Sequence, residues 1–267
     1  MTLKRIIAAL ILMGWMTACV EERSNKAGIA PGWVAFDYTT ELIERTGTAM
    51  EYLRRFNCYL EQTTQAGRDS VDRLYFAQVK ILRGEQPDTW TLNLRERYGH
   101  ERTITIHNPA RALSATSGGA WKVVCEGLDK KYGSPTGRAV DTFRVSARGD
   151  GAWVVKHIGG DREFSDTSTW TARFDHYGAI RLEGCGTRMS LARPALRLAY
   201  TIESPMLYRP QVGTNVYSLG EGRLRIVATG PKRAPEETAV KVLGNEYVQI
   251  YYGRWQERAL RRSEIEM

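Results

Sequence analysis

What most constrains this chain is a serial run of short segments between Trp90 and Tyr251 in which apolar and polar residues alternate. A period of two sends successive side chains to opposite faces of an extended strand, so each segment asks for one covered face and one wet face. Trp90–Leu94, Arg102–His107, Trp121–Cys125, Ala139–Val145, Ala152–Lys156 and Thr169–Phe174 read this way. So do Ala179–Glu183, Leu196–Ile202, Val216–Leu219, Gly222–Ala228, Ala239–Leu243 and Tyr247–Tyr251. Gly149-Asp150-Gly151, His176-Tyr177-Gly178, Gly220-Glu221-Gly222 and Gly244-Asn245 stand between neighbours and supply residues suited to tight hairpins. No helix-length spacer interrupts the series, which argues against a parallel βαβ sheet. The expectation is one antiparallel β-domain over residues 88–256, built as a sandwich or a barrel.

Ahead of it the period changes. Leu42, Ala49, Tyr52, Leu53, Phe56 and Leu60 recur at steps of three and four, which predicts a helix from Tyr38 to about Thr64 with one apolar face. Thr39 or Thr40 is placed to cap it, and Ala66-Gly67 to end it. Val71, Leu74, Tyr75, Val79 and Leu82 predict a second helix over Ser70–Leu82, closed by Arg83-Gly84 and Pro87. The fold class is therefore α+β: a helical part at 38–84 packed on the β-domain, with a tail at 257–267.

The first residues carry a different message. Lys4 and Arg5 precede an apolar run from Ile6 to Met16, and then Thr17-Ala18-Cys19 follow. The run is about half the ~20 residues a membrane-spanning helix needs. A basic start, a short apolar stretch and small residues mark an export signal. With Met16-Thr17-Ala18-Cys19 in the place of the lipobox, residues 1–18 resemble the signal peptide of a bacterial lipoprotein. The departure from that pattern is Met16, where Leu is usual. The resemblance implies that Cys19 carries a diacylglycerol and becomes the first mature residue, anchoring the protein at the cell outer membrane, on its periplasmic face or at the surface. Two or more acyl chains hold stably, since each buried methylene contributes about 0.8 kcal/mol. Val20-Glu21-Glu22 after Cys19 looks like the surface-export signal of lipoproteins in the Bacteroidota, and reads equally as an acidic tether. Residues 19–37 are polar and glycine-containing, which predicts a flexible tether.

Charge narrows the partners. The net charge is +8, and loss of Lys4 and Arg5 with the leader lowers it by two. The densest basic clusters are Lys130-Lys131 and Arg258, Arg261 and Arg262, too sparse for the stripe or motif of a nucleic-acid reader. No nucleic-acid partner is expected. The partners expected are the membrane, through the anchor, and an envelope protein or glycan.

With Cys19 assigned to lipid, Cys58, Cys125 and Cys185 remain, which allows one disulfide at most. Cys125 and Cys185 lie in predicted strands and are the expected pair if one forms. Cys58 reads as a buried structural thiol on the helix.

The motifs of catalysis are sparse. There is no Gly-x-Ser-x-Gly elbow, and Ser114 and Ser117 sit in an ordinary polar loop. None of His100, His107, His157 and His176 forms a His-x-His or His-Glu-x-x-His pair. His157, Asp161, Asp166, Asp175 and His176 converge only if their strands are neighbours. Asp161, Glu163 and Asp166 fall in one predicted loop, where carboxylates serve turns. The reading assigns no catalytic, cofactor or metal residue and expects no enzyme. Tyr247, Tyr251, Tyr252 and Trp255, with Arg254 and Arg258 among them, are the best binding hint. Alternation puts Tyr247 and Tyr251 on one face and Val248, Ile250 and Tyr252 on the other. The function expected is a non-enzymatic binding or structural module of the envelope. A β-barrel carrier of a lipid or apolar ligand and a glycan-active enzyme are the alternatives.

Overall fold

The structure is a computed structural model. It describes residues 35–36, 38–75, 79–83, 88–95, 101–107, 109, 112–113, 119–127, 140–161, 164–175, 178–191, 196–210, 217–230, 233–244, 247–252, 255–256 and 260–261. Residues 35–36 are helical, and residues 38–61 form a long helix, α1; Gln65–Tyr75 form a shorter one, α2. Then follow β1 (Val79–Arg83), β2 (Thr89–Arg95), β3 (Glu101–His107), β4 (Ala120–Glu126), β5 (Val140–Ala147), β6 (Ala152–Gly160) and β7 (Phe164–Phe174). After them come β8 (Ile180–Ser190), β9 (Arg197–Pro210), β10 (Tyr217–Gly230), β11 (Arg233–Gly244), β12 (Tyr247–Tyr252), β13 (Trp255–Gln256) and β14 (Leu260–Arg261).

All the strands belong to one antiparallel sheet, in which each from β1 to β13 pairs with its chain neighbours, while β14 pairs with β12. This is one continuous sheet rather than two stacked ones. Among the described residues nothing pairs β1 with β13, so the sheet is open. Its alternation is that of the sequence: Trp121, Val123 and Cys125 of β4, and Phe143 and Val145 of β5, are buried, while Lys122 and Arg144 between them are exposed. The hairpin between β5 and β6 turns at Gly149-Asp150-Gly151, where Gly151 takes φ +77°, a conformation open to glycine at no steric cost. Where β7 passes to β8, the Asp175 N–H donates to the Ala179 carbonyl at 3.0 Å.

The sheet curves around α1. Phe56 meets Trp90 of β2 and Trp121 of β4, while Glu44 and Thr48, a few turns earlier, meet Tyr208 of β9. Only a strongly curved sheet lets one helix touch β2 and β9. Leu42, Ile43, Ala49, Met50, Leu53 and Phe56 are fully enclosed, and so are Thr39, Thr40, Glu44, Arg45, Thr46 and Glu51. The single apolar face expected of α1 is thus an incomplete account, because its polar side is covered too.

Several local expectations are corrected. The helical run starts before Thr39 and Thr40, whose hydroxyls bond back to the carbonyls of Ala35 and Phe36 at 2.7 Å instead of capping an end. Ala66-Gly67 does not terminate α1; α1 ends at 61, and Thr64 caps α2 by accepting the Gly67 N–H at 3.1 Å. The expected helix Ser70–Leu82 divides into α2 and β1. Its apolar spacing suits either form, and pairing of Val79–Arg83 with Trp90–Leu94 decides for a strand. Gly220-Glu221-Gly222 is no turn but an irregular stretch inside β10, with register shifts against β9. Cys125 and Cys185 are both free: one faces the core, the other solvent. Cys58 is free and half-buried.

Candidate functional site

Among the inward positions of β5 to β9, Asp141, His157, Asp166, Ser168, Arg188 and Ser190 take places that the alternation reserves for core residues. Opposite them α1 offers Glu41 and Arg45. The result is a chain of charges through the interior. Arg45 Nη2 donates to Asp166 Oδ2 at 2.7 Å, and its Nε lies 3.7 Å from Asp141 Oδ2. Arg188 sits 3.5 Å from Asp166, 3.4 Å from Glu41 and 3.7 Å from Asp161, and donates to the Tyr38 carbonyl at 2.7 Å. The Phe164 ring lies 4.3 Å from the Arg188 guanidinium, a cation–π contact. Each arginine thus serves carboxylates from more than one element, which binds α1 to β5, β7 and β8.

His157 continues the chain. Its Nε2 is 2.7 Å from Asp141 Oδ1 and its Nδ1 is 3.0 Å from Ser168 Oγ, which also accepts the Trp170 indole N–H at 2.6 Å. Protons ordered in one direction satisfy this arrangement: indole N–H to hydroxyl, hydroxyl to Nδ1, and Nε2–H to carboxylate. The imidazole stacks on Phe143 at 4.7 Å. Gly159 permits the close approach, since a Cβ there would run into Asp141 Oδ1 and lie 2.6 Å from His157 Nε2.

Carboxylate, imidazole and hydroxyl in line have the order of an activated nucleophile. Here the hydroxyl is enclosed and already accepts an indole N–H, and the arrangement orders the protons from Trp170 to Asp141. Burial pushes the Asp166 carboxyl above its usual range, against the pull of Arg188 and Arg45. Burial, with Asp141 alongside, pushes the Cys125 thiol well up, which makes it a poor nucleophile. Burial also raises the Tyr200 phenol, whose oxygen lies near Ser168 short of good hydrogen-bond geometry.

Of the residues singled out in the sequence, the structure brings His157 and Asp166 into one cluster and sets Asp161 at its edge. Asp161 also accepts the Phe164 N–H at 2.8 Å, as a turn carboxylate does. Asp175 lies at the other end of β7, where it accepts the Ala179 N–H at 2.9 Å. His107 stands on β3, 3.5 Å from the Thr89 hydroxyl. Cys19, His100, Ser114, Ser117, Lys130, Lys131, Glu163, His176, Arg254, Arg258 and Arg262 lie outside the described residues. On β12, Val248 and Ile250 are buried and Tyr251 is exposed, in the expected phase. Among the described residues no group of three or more His, Cys, Asp or Glu side chains is arranged to hold a metal ion. Sequence reasoning missed Arg45, Asp141 and Arg188. For Asp141 a signal existed, since it shares the inward phase of Phe143 and Val145.

On the outer face a pocket of about 410 Å³ opens across β8 to β11, lined by Arg181, Arg223, Lys241, Glu221, Leu207 and Leu243. It lies where β10 departs from regular register against β9. No protein-family model, no curated protein and no solved structure matches the chain.

Proposed function

We propose that the protein is a lipid-anchored component of the bacterial outer membrane whose body acts as a non-enzymatic binding or structural module. The observation that carries the reading is the leader: a basic start, a short apolar run, and Cys19 directly after Thr17-Ala18. A plain secretory signal gives no reason for a cysteine at that point.

Two features of the body favour a module over the alternatives. A carrier needs an open concave face, and α1 occupies it with Leu42, Met50, Leu53 and Phe56. A glycan-active enzyme needs two carboxyls across an open cleft, whereas Asp141 and Asp166 share Arg45 inside the enclosed interior. The ground left for a partner is the outer face, with its basic pocket at β8 to β11.

The test is Cys19→Ala in the native host. Wild-type protein is expected in the membrane fraction with a diacylglycerol mass on its first residue, and the variant in the soluble fraction. A native protein that carries no acyl group on Cys19 overturns the anchor.

A further inference from the structure

Strand register places three cations side by side on the outer face. Lys122 of β4 stands directly opposite Arg144 of β5, which stands directly opposite Lys156 of β6. All three are exposed, and among the described residues no carboxylate pairs with any of them. Like charges directly opposed across strands destabilise a sheet. Elsewhere on this face the sheet sets opposite charges together, as in Arg225 with Glu237 at 2.6 Å.

Beyond this row, toward one end of the sheet, lie exposed apolar side chains: Val140 (46% exposed), Ile158 (68%), Met189 (42%) and Leu191 (53%). Ile158 is on the same strand and face as Lys156, about 7 Å further along. This is also the end where α1 begins: the Tyr38 ring packs on Phe164 at 4.8 Å, and Arg188 of β8 holds the Tyr38 carbonyl. The chain leading back to Cys19 leaves from here, and its residues before Ala35 can span at most about 55 Å.

We propose that this end of the sheet docks on an anionic bilayer, with Val140, Ile158, Met189 and Leu191 in the interface and Lys122, Arg144 and Lys156 against the phosphate headgroups. Apolar groups entering the headgroup boundary with cations just behind them are the arrangement by which proteins lie on such membranes. The inference rests on the anchored reading for the nearness of the membrane, and adds a second, orienting contact. It fixes which end of the sheet is turned down and leaves the β8–β11 pocket, toward the opposite end, turned away.

The experiment uses full-length protein carrying Ile158→Cys, placed in vesicles of 30% phosphatidylglycerol in phosphatidylcholine and, separately, in detergent. Labelling by a membrane-impermeant maleimide is read by peptide mass spectrometry, with a second protein carrying Leu243→Cys, exposed at the β8–β11 pocket, as the reference. The thiol at 158 is expected to label about tenfold more slowly in vesicles than in detergent, with the thiol at 243 changed less than about twofold. Adding Arg144→Glu is expected to restore labelling by about fivefold or more, as is a change to pure phosphatidylcholine. Equal labelling in vesicles and detergent, or protection indifferent to both Arg144→Glu and lipid charge, overturns the docking. Flotation of the same vesicles separates the two readings. If protein floats through Cys19 while the thiol at 158 stays open, the docking is wrong and the anchor stands. If Cys19→Ala protein still floats with that thiol protected, the docking stands on its own, and a native protein with no acyl group is what overturns the anchor.

Discussion

The two faces of the sheet use the same residue types to different ends. Inside, Arg45 and Arg188 are almost wholly enclosed, and their carboxylates lie at 2.7 to 3.7 Å. Outside, Arg225 meets Glu237 at 2.6 Å in open water. Distance alone would rank the outer pair with the best inner one. The physical chemistry ranks them otherwise, because water screens and replaces an exposed pair, whereas an enclosed charge that loses its partner has no substitute. Closeness is therefore a poor guide to energetic weight in this molecule, and enclosure is the better one.

The comparison breaks most readily at Arg45. Arg45→Met leaves Asp141 and Asp166 buried with their shared cation gone, and is expected to cost about 3–5 kcal/mol in urea denaturation. A variant as stable as the parent would place Arg45 with the surface arginines and dissolve the distinction. Next comes Gly47→Ala, which asks whether α1 is packed as tightly as its enclosure implies. A Cβ at 47 would lie 2.9 Å from the Tyr208 ring, so an overpacking cost of about 1–3 kcal/mol is expected from the same measurement. A neutral result would mean that α1 has room to shift within the sheet. Smallest is Arg225→Ala, expected to leave the urea midpoint within experimental scatter at neutral pH. What trace it leaves is a small loss at neutral pH that fades in acid. The Arg225 hydrogen bond holds the Glu237 carboxyl below its usual range. The folded pKa is thus below the unfolded one, so the stabilisation is complete above the ordinary glutamate pKa and disappears as pH falls through the lowered value. Parent and variant should therefore converge in acid, and a gap that widens there would mean that the sign is wrong.

The strands were legible because alternation is local: each segment declares its two faces without reference to any other. The ends were harder. Val79 and Leu82 fit a helical stripe as well as a strand, and the decision was made by β2, which the stripe does not contain. The interior network was illegible for a stronger reason. Arg45 and Asp166 are 121 residues apart, and a helix rich in Thr, Glu and Arg reads as half wet until something is known to enclose it. The parity of Asp141, His157 and Asp166 did carry a warning, because a charge in core phase needs a partner. The row Lys122, Arg144, Lys156 was hidden differently. No two of these residues are close in sequence, and only pair register makes them neighbours.

The neighbour-by-neighbour strand order bears on how the chain assembles. Each strand from β1 to β13 pairs with its chain neighbours and can do so as soon as both exist, which favours stepwise growth of the sheet. The helix obeys another clock. It is synthesised ahead of every strand, yet its contacts reach Arg188 across 150 residues and Tyr208 across 164. Until β9 emerges from the ribosome or the export channel, the flank of α1 that Tyr208 covers has no shelter, and in that interval chaperones and stray aggregation partners compete for it.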